Sequence, residues 1–283
     1  MMNRTTQAEK AESFRAMHDR QHILVLPNAW DAASARIFEA AGFSAIATTS
    51  AGLSHTAGYA DGERIPRADM LTLVRWIASS VNVPVSADIE SGFGEDDAAL
   101  TATISAIIEV GAVGINLEDS RKTAQRELYS LDEAVARIRV ARAAASRAGV
   151  PLVINARTDV FLLGVGDKSR RVDLAIERLN AYRRAGADCL YPIGYLDHDT
   201  IARLAREIDG PINVMGAPGV PSVSDLERLG VARVSTASGP ARVAMTATMK
   251  LAEQLRRDGS FAVFGGDVMT PQAANALMAR APR

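Results

Sequence analysis

The stretch Pro84-Val-Ser-Ala-Asp-Ile-Glu-Ser-Gly-Phe-Gly94 is a short apolar run that ends in two carboxylates, Asp88 and Glu90, and then in glycines. Residues two apart on a strand share a face. With 83–89 as a buried parallel strand, both acids point the same way from its C-terminal end, where α/β barrels and doubly wound sheets carry their chemistry. A second run, Val113-Gly-Ile-Asn-Leu-Glu-Asp119, repeats the pattern with Glu118 and Asp119 at its end. A single acid in such a place commonly caps the next helix or makes an ion pair. Two strands that both end in acids point instead to an active-site edge.

Outward from this stretch the chain has a period. A helix, a glycine and an apolar run recur at Gly42, Gly111, Gly149, Gly186, Gly210 and Gly230, and glycine just past a helix suits a left-handed C-cap. The helix over 67–81 stops instead at Asn82 and Pro84. Ser130-Leu-Asp-Glu133 is a capping box, followed by Val135, Ile138, Ala141 and Ala145 on one stripe. Eight strand runs result, mostly continuously apolar, as parallel strands covered on both faces require. Eight units favour a (β/α)8 TIM barrel over an open sheet. The expectation is one α/β barrel domain over 1–283, with a short N-terminal helix over 5–19 as a cover and a helical tail over about 258–283. Thr270-Pro271 opens the last helix. The tail's Phe261, Phe264 and Met278 are expected to pack on the outside or on a neighbouring subunit.

Composition narrows the partner. The chain has 283 residues, 48% of them hydrophobic, and a net charge of −1. That leaves no basic field to hold nucleic acid or an anionic membrane, so a small molecule is the expected ligand. No apolar run approaches the roughly 20 residues that cross a bilayer. The single cysteine, Cys189, cannot form an internal disulfide, and a cytoplasmic protein is expected.

The strand ends, taken in order, carry Asn28 and Asp31, then Thr48 to Ala51, Asp61, Asp88 with Glu90, Glu118 with Asp119, and finally Asn155, Arg157 and Asp159. This rim is acidic with one well-placed cation, Arg157. Carboxylates that share a cavity repel unless some are protonated or a cation sits among them. Oxygen donors without nearby His or Cys suit Mg²⁺ or Mn²⁺. Arg157 either forks onto a substrate carboxylate or phosphate, or pairs with Asp159 or Glu118. The four lysines, Lys10, Lys122, Lys168 and Lys250, avoid the strands, which argues against Schiff-base chemistry. Of the histidines only His55 lies near the proposed rim, as a candidate base. Cys189, inside an apolar strand, reads as a core thiol. The glycine-containing turns Met215-Gly-Ala-Pro-Gly219 and Ser238-Gly239 occupy the corner where barrels bind phosphate, or are ordinary tight turns.

Asn28-Ala-Trp-Asp31, Tyr59-Ala-Asp-Gly-Glu63, Asp88-Ile-Glu-Ser-Gly-Phe-Gly94, Asn116-Leu-Glu-Asp119 and Asn155-Ala-Arg157 resemble, in this order, motifs of the isocitrate lyase and phosphoenolpyruvate mutase superfamily. The resemblance runs from about residue 15 to 250. It implies an α/β barrel whose C-terminal helices are exchanged between subunits of a homodimer or homotetramer. It also implies Mg²⁺ and an α-keto acid or its enolate as ligands. Asp88 would then hold the metal directly, with Asp61, Glu90 and Glu118 acting through metal-bound water. The backbone of Thr49, Ser50 and Ala51 would cradle the substrate carboxylate, and Arg157 would clamp it. Arg157, Glu118 and Asp61 are the residues expected to carry the catalysis. The loop after the fourth strand reads Ser120-Arg-Lys-Thr-Ala-Gln-Arg-Glu-Leu-Tyr129, without the Lys-Arg-Cys-Gly-His of the lyase branch or the paired lysine and asparagine of the mutase branch. The expected activity is Mg²⁺-dependent cleavage of a carbon–carbon bond in a small α-keto or α-hydroxy acid through an enolate, as in an oxaloacetate decarboxylase or a substituted-malate lyase. The alternatives are a phosphonomutase or phosphonopyruvate hydrolase, and a keto-acid-binding barrel without turnover.

Overall fold

The structure, a computed structural model, describes residues 4–279 apart from 124 and 126. Helix α1 (Arg4–Ala16) precedes two short strands, β1 (Leu24–Leu26) and β2 (Asn28–Ala29), after which each strand is followed by one helix or two. The order is α2 (Ala32–Ala40), β3 (Ile46–Thr48), α3 (Ser50–Thr56), α4 (Arg67–Ser80), β4 (Val85–Asp88), α5 (Asp97–Glu109), β5 (Gly114–Glu118), α6 (Leu131–Ala148) and β6 (Val153–Thr158). It continues with α7 (Arg171–Arg184), β7 (Cys189–Pro192), α8 (His198–Glu207), β8 (Asn213–Met215), α9 (Val223–Arg228), β9 (Arg233–Ser235), α10 (Gly239–Asp258) and α11 (Pro271–Met278).

All strand pairs are parallel, running β2-β3-β4-β5-β6-β7 in one sheet and β1-β9-β8 in the other. The first expected strand ends at Pro27, which has no N–H to give to a ladder, and a second short strand follows it. Before it the chain pairs with β9; after it, with β3. A parallel bridge between Leu190 and Ile212 links β7 to β8. The result is a TIM-barrel-like α/β fold. The strand residues are almost all buried, as the continuous apolar runs require.

The expected caps form. Ser130 Oγ accepts the Glu133 N–H at 3.3 Å, and Glu133 Oε2 accepts the Ser130 N–H at 2.8 Å. The six helix-ending glycines all have positive φ, and Gly149 is itself the left-handed C-cap of α6. Helix α1 covers the N-terminal ends of the strands. Gln7 Nε2 donates to the carbonyls of Ile108 and Ala112, and fully buried Phe14 lies on Gly114, where a Cβ would come within 2.7 Å of its ring. At the other end of the chain Val243, Met249, Phe261, Phe264 and Met278 are exposed on α10, α11 and the segment between them. Among the described residues no helix is long and apolar enough to cross a membrane.

Candidate active site

Strand β4 delivers Asp88 to a cavity of about 170 Å³ at the C-terminal ends of the strands, whose lining includes Thr49, Ser50, Ala51, Asp61, Asp88 and Arg157. The carboxylate is aimed from several sides. Asp88 Oδ2 accepts the Ser50 N–H at 3.0 Å, and Oδ1 accepts Asn116 Nδ2 at 2.9 Å. Asn116 Oδ1 in turn accepts Asn155 Nδ2 at 2.9 Å. The expected asparagines thus form a relay of donors behind the acid. Asn28 ties the rim together, donating through Nδ2 to the Thr48 carbonyl and accepting the Thr236 N–H.

The two acids of the opening stretch do not share a face. Strand β4 stops at Asp88, and Glu90 has a left-handed φ of 50°. Period-two alternation ends with the strand, and Glu90 turns behind the cavity. Its Oε1 accepts the Glu63 N–H at 2.8 Å, and its Oε2 lies 2.8 Å from Lys122 Nζ. Glu118 lies beside it, pairing with Lys122 through Oε1 and with Arg157 Nη1 at 2.8 Å through Oε2. Burial raises Glu90 to about 7, opposed by Lys122 and reinforced by Glu118 and Asp61. Burial also pushes Glu118 up, but Arg157 and Lys122 outweigh it and hold the carboxyl below its ordinary value.

The rim therefore has more than one cation. Lys122, on the loop after β5, neutralises Glu90 and Glu118; residues 124 and 126 of that loop lie outside the described residues. Arg157 makes both of the ion pairs weighed for it, to Glu118 and to Asp159 Oδ1 at 2.5 Å, and lines the cavity as well. Asp119 is not a cavity group. It accepts from Thr158 Oγ1, the Asp159 N–H, Arg178 Nε and the Tyr182 hydroxyl, a buried network behind β5 and β6. Asp31 caps α2, taking the Ser34 N–H at 2.6 Å. His55 is exposed on α3 and is not among the cavity-lining residues, which removes the geometric basis for a base there. Cys189 is fully buried and burial pushes its thiol up to about 12, as a core thiol requires. Met215 and Ser238, from the two glycine-containing turns, do line the cavity.

Three groups escaped the sequence. Glu63, at φ 55°, accepts through Oε1 from the Ser91 N–H, the Ser91 hydroxyl and the Phe93 N–H, at 2.9, 2.6 and 3.2 Å. Tyr191 and Arg233 also line the cavity. The available signal for Arg233 was a lone charge inside the apolar run Val231-Ala-Arg-Val234. A larger open groove of about 780 Å³ lies at the N-terminal ends of the strands. Its Arg15 and Arg142 are tied to Asp188, and it contains none of the expected site residues.

The donor set bears on a metal. Among the described residues no three His, Cys, Asp or Glu side chains converge as ligands of one ion. Asp88 and Asp61 nevertheless face one cavity, while Glu90 and Glu118 stand behind it on Lys122. One direct carboxylate with further acids at one remove is chemistry that fits a hard, water-retaining divalent ion.

Comparison with known proteins identifies the family. The model of the phosphoenolpyruvate phosphomutase family matches residues 14–256. A Burkholderia cenocepacia structure described as a lyase/mutase superposes with a TM-score of 0.88 at 40% identity, over 96% of each chain. Uncharacterized protein Rv1998c of Mycobacterium tuberculosis is 36% identical over 81% of this chain and 83% of its own. A phosphonopyruvate hydrolase solved with oxalate and Mg²⁺ is 26% identical with a TM-score of 0.84, over 95% of this chain and 94% of its own. Other matching relatives are 2-methylisocitrate lyases and a 2,3-dimethylmalate lyase. From its strand-end motifs, its fold and these likenesses, the chain belongs to the phosphoenolpyruvate mutase and isocitrate lyase superfamily.

Proposed function

We propose that the protein is an Mg²⁺-dependent lyase that cleaves a carbon–carbon bond of a small α-keto or α-hydroxy acid through an enolate. The observation that carries this reading is the placement of Asp88, Arg157 and the backbone of Thr49, Ser50 and Ala51 on one cavity. Arg157 is held by Glu118 and by Asp159, which takes its Nε and Nη2, so the guanidinium is positioned before a substrate carboxylate reaches its remaining N–H groups. The 49–51 segment is fixed relative to Asp88 by the Ser50 N–H bond. Asp88 would hold the metal directly, with Asp61, Glu90 and Glu118 around it, and the bound ion would supply positive charge to a developing enolate oxygen. Burial pushes the Tyr191 hydroxyl up to about 12, so it stays protonated at neutral pH as a proton-bearing group on the cavity wall.

The likeness to a phosphonopyruvate hydrolase solved with oxalate and Mg²⁺ favours a second reading, cleavage of a carbon–phosphorus bond at the same site. Phosphorus NMR on phosphonopyruvate separates the two. The strand pairings on both sides of Pro27 support a closed eight-stranded barrel over 1–283, with the tail after Asp258 packed outside it. The exposed Val243, Met249 and Phe261 support a dimer or tetramer formed through the C-terminal helices, a cytoplasmic homo-oligomer by this reading. Light scattering on Met249→Glu, which is expected to dissociate it, tests the assembly.

The primary test is calorimetric titration with oxalate, an enolpyruvate mimic, with and without Mg²⁺. Oxalate binding that needs Mg²⁺ and disappears in Asp88→Ala is expected. Metal-independent binding, or an Asp88→Ala variant that behaves as wild type, removes the metal assignment.

A further inference from the structure

Arg233 opens β9, in register with Leu24 on one side and Asn213 on the other, and its side chain is almost wholly buried at 2% exposure. Its Nε and Nη1 have no hydrogen-bond partner, and no carboxylate lies within ion-pair distance of it among the described residues. Of the other deeply buried arginines, Arg178 reaches Asp119 and the Tyr129 carbonyl, and Arg137, although its Nε is also unpartnered, caps the carbonyls of Ser91, Gly94 and Glu95 through both of its terminal nitrogens. Arg233 instead lines the cavity that holds Arg157, Asp88 and Tyr191.

Burying an unpaired guanidinium is costly, and arginine cannot escape by losing its proton. The nearby charges do not remove the cost. Asp88 feels Arg233, but its oxygens already accept from Ser50 and Asn116. On the N-terminal side the group that feels Arg233 is His18, which burial keeps neutral with its pKa down at about 3. Water would satisfy the spare N–H groups, but it carries no counter-charge. An anion entering the cavity would supply both.

We propose that Arg233 is a specificity-determining residue that binds the distal carboxylate of a short keto or hydroxy diacid whose proximal carboxylate sits at Arg157. This rests on the keto-acid reading of the cavity and deepens it. The guanidinium offers a carboxylate a counter-charge and a charge-assisted hydrogen bond. A cavity of about 170 Å³ has room for a ligand of only a few carbons, so the two arginines select by length as well as by charge.

Calorimetry on the full chain in Mg²⁺ tests this with L-malate and with lactate, which is the same acid without the distal carboxylate. Wild type is expected to bind malate about 30-fold more tightly than lactate, the size of one charge-assisted contact. Arg233→Met should abolish that preference while keeping oxalate affinity within about threefold, and Arg233→Lys should restore part of it. Equal wild-type affinity for malate and lactate overturns the proposal, and needs no variant to fold. Parallel loss of oxalate and malate in Arg233→Met also overturns it, making Arg233 a structural cation of the barrel interior. Tighter binding of 3-phosphonolactate than of malate overturns the carboxylate assignment in favour of a phosphonate. Absence of oxalate binding by wild type rejects the keto-acid reading itself, and the proposal with it.

Discussion

Lys122 Nζ lies 2.8 Å from Glu90 Oε2 and also pairs with Glu118, so the loop after β5 is latched onto two acids that stand behind the cavity. All three groups are largely withdrawn from solvent, where an ion pair is far less screened than at the surface. Lys122→Met is expected to leave Glu90 without a counter-charge beside Glu118, which keeps only Arg157, lowering stability by roughly 1–3 kcal/mol. It should also speed proteolytic cleavage within 120–129. Unchanged melting and unchanged cleavage would show that the latch holds nothing.

Glu63 acts one step further from the cavity. One of its oxygens collects three donors from residues 91–93, and its own N–H donates to Glu90. It therefore joins the loop that bears Asp61 to the loop that bears Glu90. Glu63→Ala leaves those donors without an acceptor, and a loss of roughly 2–4 kcal/mol is expected in urea melts. Glu63→Gln keeps a side-chain carbonyl at the same reach and should recover most of the stability and of the Mg²⁺-dependent oxalate affinity. Equal damage from both variants would mean that charge at Glu63, rather than its geometry, matters.

The repeated helix, glycine and apolar run foretold the layered fold because each unit is local: a cap, a stripe and a strand are decided by neighbours in the chain. The positions of Asp88, Glu118 and Arg157 were legible for a related reason, since Asp88 and Glu118 end strands and Arg157 is one residue from the end of another. What failed was extrapolation past the strand. Glu90 was placed beside Asp88 by alternation, but its φ of 50° lies beyond the last ladder bond. The roles of Lys122, Glu63 and Arg233 depend on partners, or on a lack of partners, that only the folded chain determines. Glu63 meets Ser91 across 28 positions of sequence.

Gly114 begins β5 under Phe14, and its missing side chain is part of how α1 closes the end of the barrel-like core. A Cβ there would lie 2.7 Å from Phe14 Cε1 and 3.1 Å from Ser86 Oγ. Gly114→Ala is expected to cost roughly 1–3 kcal/mol through overpacking. In a double-mutant cycle Phe14→Leu should recover part of that loss, with a coupling above about 0.5 kcal/mol. Strict additivity would mean that the strain is relieved elsewhere.

His18 makes the fold sensitive to acid at the N-terminal ends of the strands. Its Nδ1–H donates to the Phe14 carbonyl at 2.9 Å, and its ring packs edge-on against Phe14. Burial, with the charge of Arg233 behind it, brings its pKa down from 6.5 to about 3. Between those values the unfolded chain binds a proton that the folded chain does not, so the contribution of His18 to stability is complete above about pH 6.5 and shrinks as the pH falls towards 3. The slope approaches about 1.4 kcal/mol per pH unit, or roughly 2 kcal/mol between pH 7.5 and 5. His18→Gln, which has no proton to gain, should be less stable at pH 7.5 but lose correspondingly less on acidification. Urea melts of both proteins across that range measure the difference, and parallel pH profiles would place the proton uptake at another group.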